Sequence, residues 1–319
     1  MSWIDRKAVR ALATGVVLVA LFSFFFVFPG HDPEPNHVPL GLVGPSADRT
    51  ATALERDGRF EPHRYADAGA AREAILDREV YGAVVTGPQP RLLVASAASP
   101  QVAEILQEAA ARVPVGTAPP VEDVRPLDAD DPRGTTVNLL AVPLSVTSIL
   151  GAMLLFTMAP AMRPPQRIAL LAVFALLGGL TAMLIVRVAI GALPGSFAAL
   201  TLVASLAIAA MAFTSAGIMS AVGPSGTMLS FLIFLMVANP ASGAASAPEL
   251  LPDPWREGGQ LLPAGAAATG LRNVAYFDGT SLAKPLAVLL AFAAGGALVL
   301  VTTAARTSRS PTPPARGRA

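Results

Sequence analysis

The sequence predicts an α-helical membrane protein with six transmembrane helices. A small extracytoplasmic α/β domain is inserted between helices 1 and 2, and a re-entrant segment lies between helices 5 and 6. The main observation is the stretch between Arg133 and Glu249, which contains no Asp, Glu, Lys or His. Such a stretch suits several bilayer crossings, each of which takes about 20 mostly apolar residues. Hydrophobic residues make up 53% of the chain and charged residues only 14%, as in membrane proteins.

Composition also excludes several functions. Ion-driven pumps place Asp, Glu or His inside the membrane, whereas the only charges in this stretch are Arg163, Arg167 and Arg187. We therefore expect the energy for any transport to come from another subunit. The chain has no cysteine, which excludes disulfides, zinc–thiolate sites and a thiol nucleophile. A net charge of +1 gives no electrostatic reason to expect nucleic acid as a partner.

The first predicted span covers residues 10–28 and follows Arg6, Lys7 and Arg10. Positive charge before a span places the N-terminus in the cytoplasm. The alternative is a cleaved signal peptide. We favour a retained anchor within residues 1–30, because the apolar stretch is long and phenylalanines at 24–26 and 28 stand where small residues would prepare cleavage.

From His31 onward, charges of both signs return and strand patterns alternate with helix patterns. Strands are predicted at 38–43, 59–65, 81–86 and 91–95, and helices at 47–57, 68–77 and 100–113. This alternation is typical of an α/β domain, and about 100 residues suffice for one core. We assign the domain to residues 31–136, with 114–132 as a return linker rich in Pro and Asp.

The membrane domain is predicted to cover residues 137–305. Its spans are expected at 137–158, 168–186, 197–221, 227–238 and 285–305. With the N-terminus inside, the loop holding Arg163 and Arg167 and the arginines of the tail both fall on the cytoplasmic side, as the positive-inside rule requires. Both termini are then cytoplasmic and residues 31–136 extracytoplasmic. The tail, residues 306–319, is rich in Pro and Arg and is predicted to be disordered.

The fifth span is too short to cross and runs into Asn239, Pro240, Ser242 and Gly243. Pro and Gly break helices, while Asn and Ser side chains satisfy the freed backbone groups. A broken helix is tolerated in a membrane where it lines a cavity or is buried in protein. These four residues are our candidate gate, or re-entrant hinge, at the start of a hairpin over 239–284; a kink with a purely structural role is equally compatible with the pattern.

Further candidate residues are Trp255, Tyr276 and Phe277, which are of the types that favour the membrane interface. Arg187, at the outer end of the third span, would contact an anionic substrate or lipid headgroup, or it simply reaches the interface as many terminal arginines do.

Two other motifs point to no cofactor and no metal. Residues 223–227 contain glycines but lack the Lys of a phosphate-binding loop. His31 and His37 stand beside acidic residues, but Pro33 and Pro35 separate those side chains and no regular element sets their spacing, so a solvated linker is the better interpretation. We find no paired carboxylates or nucleophile–base pair at bilayer depth and expect no enzymatic activity.

The layout of one span, an outer α/β domain and five further spans resembles the ABC-2 type permeases, and most closely their YhgE/Pip-like bacterial branch. Asn239–Gly243, the Leu262-Pro263 pair and Tyr276–Gly279 carry the resemblance together with the architecture. It implies a dimeric export permease of the bacterial plasma membrane with outer re-entrant helices before the last span. It also implies a separate ATPase subunit in the transporting members.

The chain departs from that family in two places. Only residues 1–9 precede the first span, where the family has an amphipathic cytoplasmic helix. The loop over 159–167, where the family docks its ATPase, is short and contains three prolines. Two hypotheses follow: an ABC-2-like homodimeric permease subunit that exports an amphipathic or lipid-like substrate, or a non-transporting scaffold whose outer domain binds envelope or secretion-system partners.

Overall fold

The computed structural model describes residues 5–111 and 119–307. Within that part of the chain, five helical segments are long and apolar enough to cross a membrane. They are Arg6–Gly30, Thr136–Met158, Pro164–Ile190, Phe197–Ala238 and Ala283–Ala305. The chain therefore has the helices of a multi-pass membrane protein. The predicted disordered tail lies outside the described residues from position 308 onward.

A five-stranded α/β domain follows the first of these segments. Its strands are β1 (Val38–Val43), β2 (Phe60–Tyr65), β3 (Gly82–Val85), β4 (Arg91–Val94) and β5 (Val121–Asp123), and its helices are α2 (Ala47–Asp57), α3 (Ala68–Leu76) and α4 (Pro100–Ala111), with α1 (Arg6–Val27) preceding them. The sheet order is β2-β1-β3-β4-β5, with β3 and β4 antiparallel and all other neighbours parallel. The four predicted strands and the first two predicted helices are confirmed to within two residues, and the third helix is confirmed up to Ala111, since its predicted end at residue 113 lies outside the described residues.

The fifth strand corrects the prediction that residues 114–132 form only a linker. β5 pairs with β4 in parallel, with Leu92 opposite Val121. The backbone N–H of Leu92 donates to the carbonyl of Pro120 at 3.0 Å. A three-residue strand flanked by Pro and Asp has too short a pattern to be recognised from sequence, and its pairing with a formed edge strand determines it.

Helix α7 (Phe197–Val222) lies at the centre of the membrane part. It packs against α5 (Thr136–Met158), α6 (Pro164–Met183), α10 (Pro263–Tyr276) and α11 (Ala283–Thr307). Small residues permit the close approach: a β-carbon on Gly179 would lie 2.2 Å from Oγ of Ser205, and one on Gly296 would lie 2.4 Å from the carbonyl carbon of Phe213. Such small-residue contacts are how helices associate in lipid, where apolar burial gives little driving force.

The 42-residue segment Phe197–Ala238 consists of two antiparallel arms. Gly223 has φ of +78° and begins a tight turn over Gly223–Ser225. A β-carbon on Gly226 would lie 2.8 Å from Cα of Met219, although a continuous helix would place these residues about 10 Å apart. The returning arm is α8 (Gly226–Phe231) followed by a π-helical stretch, Leu232–Ala238. The reversal falls where the boundary between the fourth and fifth spans was predicted.

Helix α1 stands at the edge of the bundle, and none of its described residues is buried. Its contacts with the rest of the chain involve the returning arm and the loop after it. Near its C-terminal end, the rings of Phe25 and Phe28 lie 6.2 and 5.6 Å from the ring of Trp255. An apolar helix with this little protein contact is suited to a lipid surrounding.

Candidate functional site

The predicted hinge over Asn239–Gly243 is a break between the returning arm and two short helices. Pro240–Ser242 form a single 3-10 turn, and Gly243 adopts a left-handed conformation with φ of +66°. The Ser242 hydroxyl donates to the carbonyl of Asn239 at 2.6 Å and accepts from the N–H of Ala244 at 3.1 Å. Pro240 lacks the N–H that would continue the helix, and the Ser242 hydroxyl makes hydrogen bonds to two backbone groups of the turn.

The helices that follow are α9 (Trp255–Gln260) and α10. Their glycines let three backbone segments touch: a β-carbon on Gly259 would lie 1.7 Å from the carbonyl oxygen of Ala241, and one on Gly265 would lie 2.2 Å from the carbonyl oxygen of Gly259. The Gln260 amide also donates to the carbonyl of Ser242 at 2.9 Å. We call Asn239–Gly243, α9 and α10 together the outer hairpin, after the side of the membrane on which the sequence analysis expects them.

A cleft of about 500 Å³ opens beside the hinge. It is lined by residues of the end of α1, the start of α5 and the hinge, namely Phe26, Gly30, Asn138, Leu139, Val142, Pro143, Asn239, Pro240, Ser242–Ser246 and Leu251. Asn239 is 7% exposed, and its Nδ2 has no hydrogen-bond acceptor among the described residues. The four candidate gate residues therefore share one cleft, and one of them has an unused donor.

Helix α10 contains a buried arginine that the sequence analysis did not single out. Arg272 is 5% exposed, and its Nη2 donates to the carbonyl of Ala244 at 2.9 Å, next to the hinge. Burial, and then the positive charge of Arg78, lower the pKa of Arg272 to about 10. A buried guanidinium without a hydrogen-bond partner is costly. Loss of this hydrogen bond would therefore be unfavourable, and the bond holds α10 to the hinge loop.

The outer domain rests directly on the outer hairpin and its flanking loops. The Tyr81 hydroxyl donates to Oε2 of Glu249 at 2.6 Å. Burial raises the pKa of Tyr81, and the nearby Glu249 carboxylate raises it by a smaller amount. The N–H of Asn36 donates to the carbonyl of Glu249 at 2.9 Å. Arg125 forms an ion pair with Asp278 at the far end of α10. These contacts join segments distant in sequence into one outer unit.

The predicted interface residues occupy three different environments. Trp255 lies against α1, as described above. Tyr276 and Phe277 are buried in protein, 7% and 1% exposed, and the guanidinium of Arg78 lies 4.8 Å from the centre of the Phe277 ring. Arg187 lies in a π-helical stretch, Leu184–Ile190, and makes no hydrogen bond or ion pair with any described residue.

The two loop arginines also differ. Arg163 is exposed at the start of α6. Arg167 is 7% exposed, its Nη2 donates to the carbonyl of Ala159 at 3.1 Å, and its guanidinium lies 5.1 Å from the centre of the Phe156 ring. Arg167 therefore closes its own loop, and only Arg163 presents its charge to solvent.

No group of three or more metal-ligating side chains occurs among residues 5–111 and 119–307. His31 and His37 instead contact their neighbours: Nδ1 of His31 lies 2.8 Å from the carbonyl oxygen of Phe28, and Nδ1 of His37 lies 2.8 Å from Oδ1 of Asn36.

The arrangement is thus a polar α/β domain packed on one end of an apolar helical bundle, next to a broken helix. No family model, curated protein or solved structure matches this chain. The class of protein that the fold defines is a multi-pass helical membrane protein with a small α/β domain.

Proposed function

We propose that the chain is an ABC-2-like permease subunit of the bacterial plasma membrane, exporting an amphipathic or lipid-like molecule with a separate ATPase. The observation that carries the proposal is the outer hairpin: two short helices lie between a broken apolar arm and the last span, as the resemblance implies. The hairpin packs on α7 and α5, so movement of the hairpin and movement of the bundle are mechanically linked.

The topology we propose has six crossings, with the arm Gly226–Ala238 as the short fifth one. Its reversal at Gly223–Ser225 puts the outer hairpin on the same side as the α/β domain, which the Tyr81–Glu249 contact also requires. Residues 31–136 are then extracytoplasmic. The loop around Arg163 and both termini are cytoplasmic.

The space between α5, α7 and α10 offers little room for a substrate. The enclosed cavity between α5, α7 and α10 has a volume of about 10 Å³, which admits at most a single water. The larger cleft beside the hinge opens at the periphery. A pathway along the surface of the bundle suits a homodimer in which two copies enclose the substrate.

The short loop between α5 and α6 favours a second candidate function. The loop between α5 and α6 spans only residues 159–163, and Arg167 is used to close it. So small a surface is poorly suited to docking a motor subunit. A scaffold or receptor that presents its outer α/β domain to envelope or secretion-system partners needs no such surface.

Purification of the tagged full-length protein in mild detergent, followed by mass spectrometry, separates the two. A stoichiometric ATP-binding subunit, with reduced recovery for Arg163→Glu and unchanged recovery for the outer-domain control Arg49→Glu, supports the permease. Reproducible recovery with envelope components and no ATP-binding subunit overturns it in favour of the scaffold.

The gate assignment has its own test, once a transported molecule is known. The double variant Pro240→Ala with Gly243→Leu should abolish export, because leucine is strained at φ of +66° and alanine permits the helix to continue. Gly223→Leu is the matched control, with φ of +78° but at the opposite turn. Normal export by a correctly inserted double variant would refute the assignment.

A further inference from the structure

A second and more polar cleft lies between the outer domain and the outer hairpin, with a volume of about 400 Å³. One wall belongs to the outer domain and the other to α9, α10 and the start of α11. Its charged and amide-bearing lining residues are His37, Glu61, Arg78, Glu249, Arg256, Glu257, Gln260, Asn273 and Lys284. The cleft is distinct from the one beside the hinge and shares no residue with it.

Three cations and three carboxylates line the cleft, but the pairing between them is uneven. Arg256 is neutralised by Asp253 at 3.3 Å and Glu257 at 3.5 Å. Glu61 lies 3.6 Å from His63, and Glu249 accepts the Tyr81 hydroxyl. Neither of the remaining cations, Arg78 and Lys284, has a carboxylate partner among the described residues. The cleft thus has as many carboxylates as cations, and Arg78 and Lys284 are the two cations that no described carboxylate contacts.

Arg78 is held in place by aromatic rings instead of by an anion. Its guanidinium carbon lies 5.3 Å from the centre of the Tyr81 ring and 4.8 Å from that of Phe277. Its Nε has no hydrogen-bond acceptor among the described residues, and its backbone is left-handed with φ of +65°. A half-buried guanidinium fixed in this way keeps its donors free for an incoming oxyanion.

The opposite wall adds a second cation and an unused acceptor. Lys284 is exposed in the first turn of α11, at the point where the last apolar span begins. Asn273 is 1% exposed; its Nδ2 donates to the carbonyl of Thr280 at 2.9 Å, while its Oδ1 has no donor among the described residues. Phosphate oxygens suit the two cations, and a hydroxyl group suits the amide oxygen.

The geometry points to a binding site for a phosphate-bearing polyol head group, of the phosphoglycerol kind, in the cleft between Arg78 and Lys284. The head group lies at the outer end of the last span, so an acyl chain attached to it would extend along the apolar surface below. A lipid and a water-soluble phosphoglycerol compound present the same group. The site does not depend on an ATPase partner or on transport.

Two probes distinguish those sources with the purified full-length protein. The first is phosphatidylglycerol against phosphatidylcholine in detergent, with bound lipid counted by native mass spectrometry. The second is glycerol 1-phosphate, followed by calorimetric titration. The test variants are Arg78→Gln and Lys284→Gln, and the matched controls are Arg49→Gln, exposed on α2, and Lys7→Gln, at the start of α1.

We expect the wild type to prefer phosphatidylglycerol, and each test variant to weaken that binding by at least about tenfold, as loss of one charge-assisted hydrogen bond should. The controls should stay within about twofold. Arg78→Gln also removes the contacts with the rings of Tyr81 and Phe277. Lys284→Gln leaves those contacts in place and therefore tests the site independently. Binding of glycerol 1-phosphate alone, with the same variant pattern, identifies a soluble ligand and supports the site.

The proposal is overturned if wild type binds neither probe, or if both test variants bind like the controls. Because the assay contains one purified protein, its failure leaves the search for an ATP-binding subunit unaffected. Conversely, absence of that subunit does not change the expected binding.

Discussion

The joint between α9 and the broken helix gives the sharpest test of the fold, because two adjacent glycines make a matched pair. At Gly259 a new β-carbon would lie 1.7 Å from the carbonyl oxygen of Ala241. A carbon–oxygen contact needs about 3.3 Å, so the hinge and α9 must separate by roughly 1.6 Å. At Gly258 the same methyl group meets nothing within 4 Å.

Overpacking of this kind costs about 1–3 kcal/mol. Both glycines lie in the same short helix, so Gly258→Ala and Gly259→Ala gain similar helix propensity. The difference in their free energies of unfolding therefore isolates the clash with Ala241. We predict that Gly259→Ala is the less stable by about 1–3 kcal/mol.

The assay is reversible unfolding of the purified protein in mixed micelles, titrated with dodecyl sulfate and followed by circular dichroism. Equal free energies of unfolding for the two variants would show that α9 does not touch the hinge, and would refute the outer hairpin as described.

Three further predictions concern other contacts. Gly296→Ala should destabilise the packing of α7 on α11 by about 1–3 kcal/mol, whereas Gly295→Ala, whose added methyl meets nothing within 4 Å, should not; equal unfolding curves would contradict this. Tyr81→Phe and Glu249→Gln should show a coupling of roughly 1–2 kcal/mol in a double-mutant cycle on unfolding, and additive effects would argue against docking of the outer domain. Burial and nearby carboxylates raise the pKa of Tyr276 to about 12, and the pKa values of the other two tyrosines are also raised. The folded state thus holds these protons more tightly, contributing stability that is complete below pH 10 and lost as the pH rises through about 12. Absorbance at the tyrosinate band should show a step of three tyrosines near pH 10 in the unfolded protein, whereas Tyr81 and Tyr276 should be missing from that step in the folded protein; a folded-state step of three tyrosines near pH 10 would contradict the burial.

Local patterns account for what the sequence predicted well. Strands β1, β2 and β3 are separated by helices that have clear stops, such as the left-handed Gly58 after α2. The reversal at Gly223–Ser225 and the break at Asn239–Gly243 were recognised because Gly and Pro act on the backbone next to them. Strand β5, three residues long, had no such local signal.

The polar contacts were missed for a different reason. Tyr81 and Glu249 are 168 positions apart, and nothing in either neighbourhood indicates the other. Arg272 did carry a signal, since it is the one charged residue in α10, and a charge in such a helix is usually partnered. Its partner is a backbone carbonyl, which no residue pattern could have identified.

The arrangement of the chain across the membrane underlies the whole account, and the absence of cysteine makes it directly measurable. Single cysteines at Thr52, Ser225 and Glu257, all exposed, would be labelled in intact cells with a membrane-impermeant maleimide. We predict labelling of Thr52→Cys and Glu257→Cys from outside, and labelling of Ser225→Cys only after permeabilisation. Labelling of Ser225→Cys from outside, or protection of Glu257→Cys, would contradict the six-crossing topology and the outer position of the hairpin.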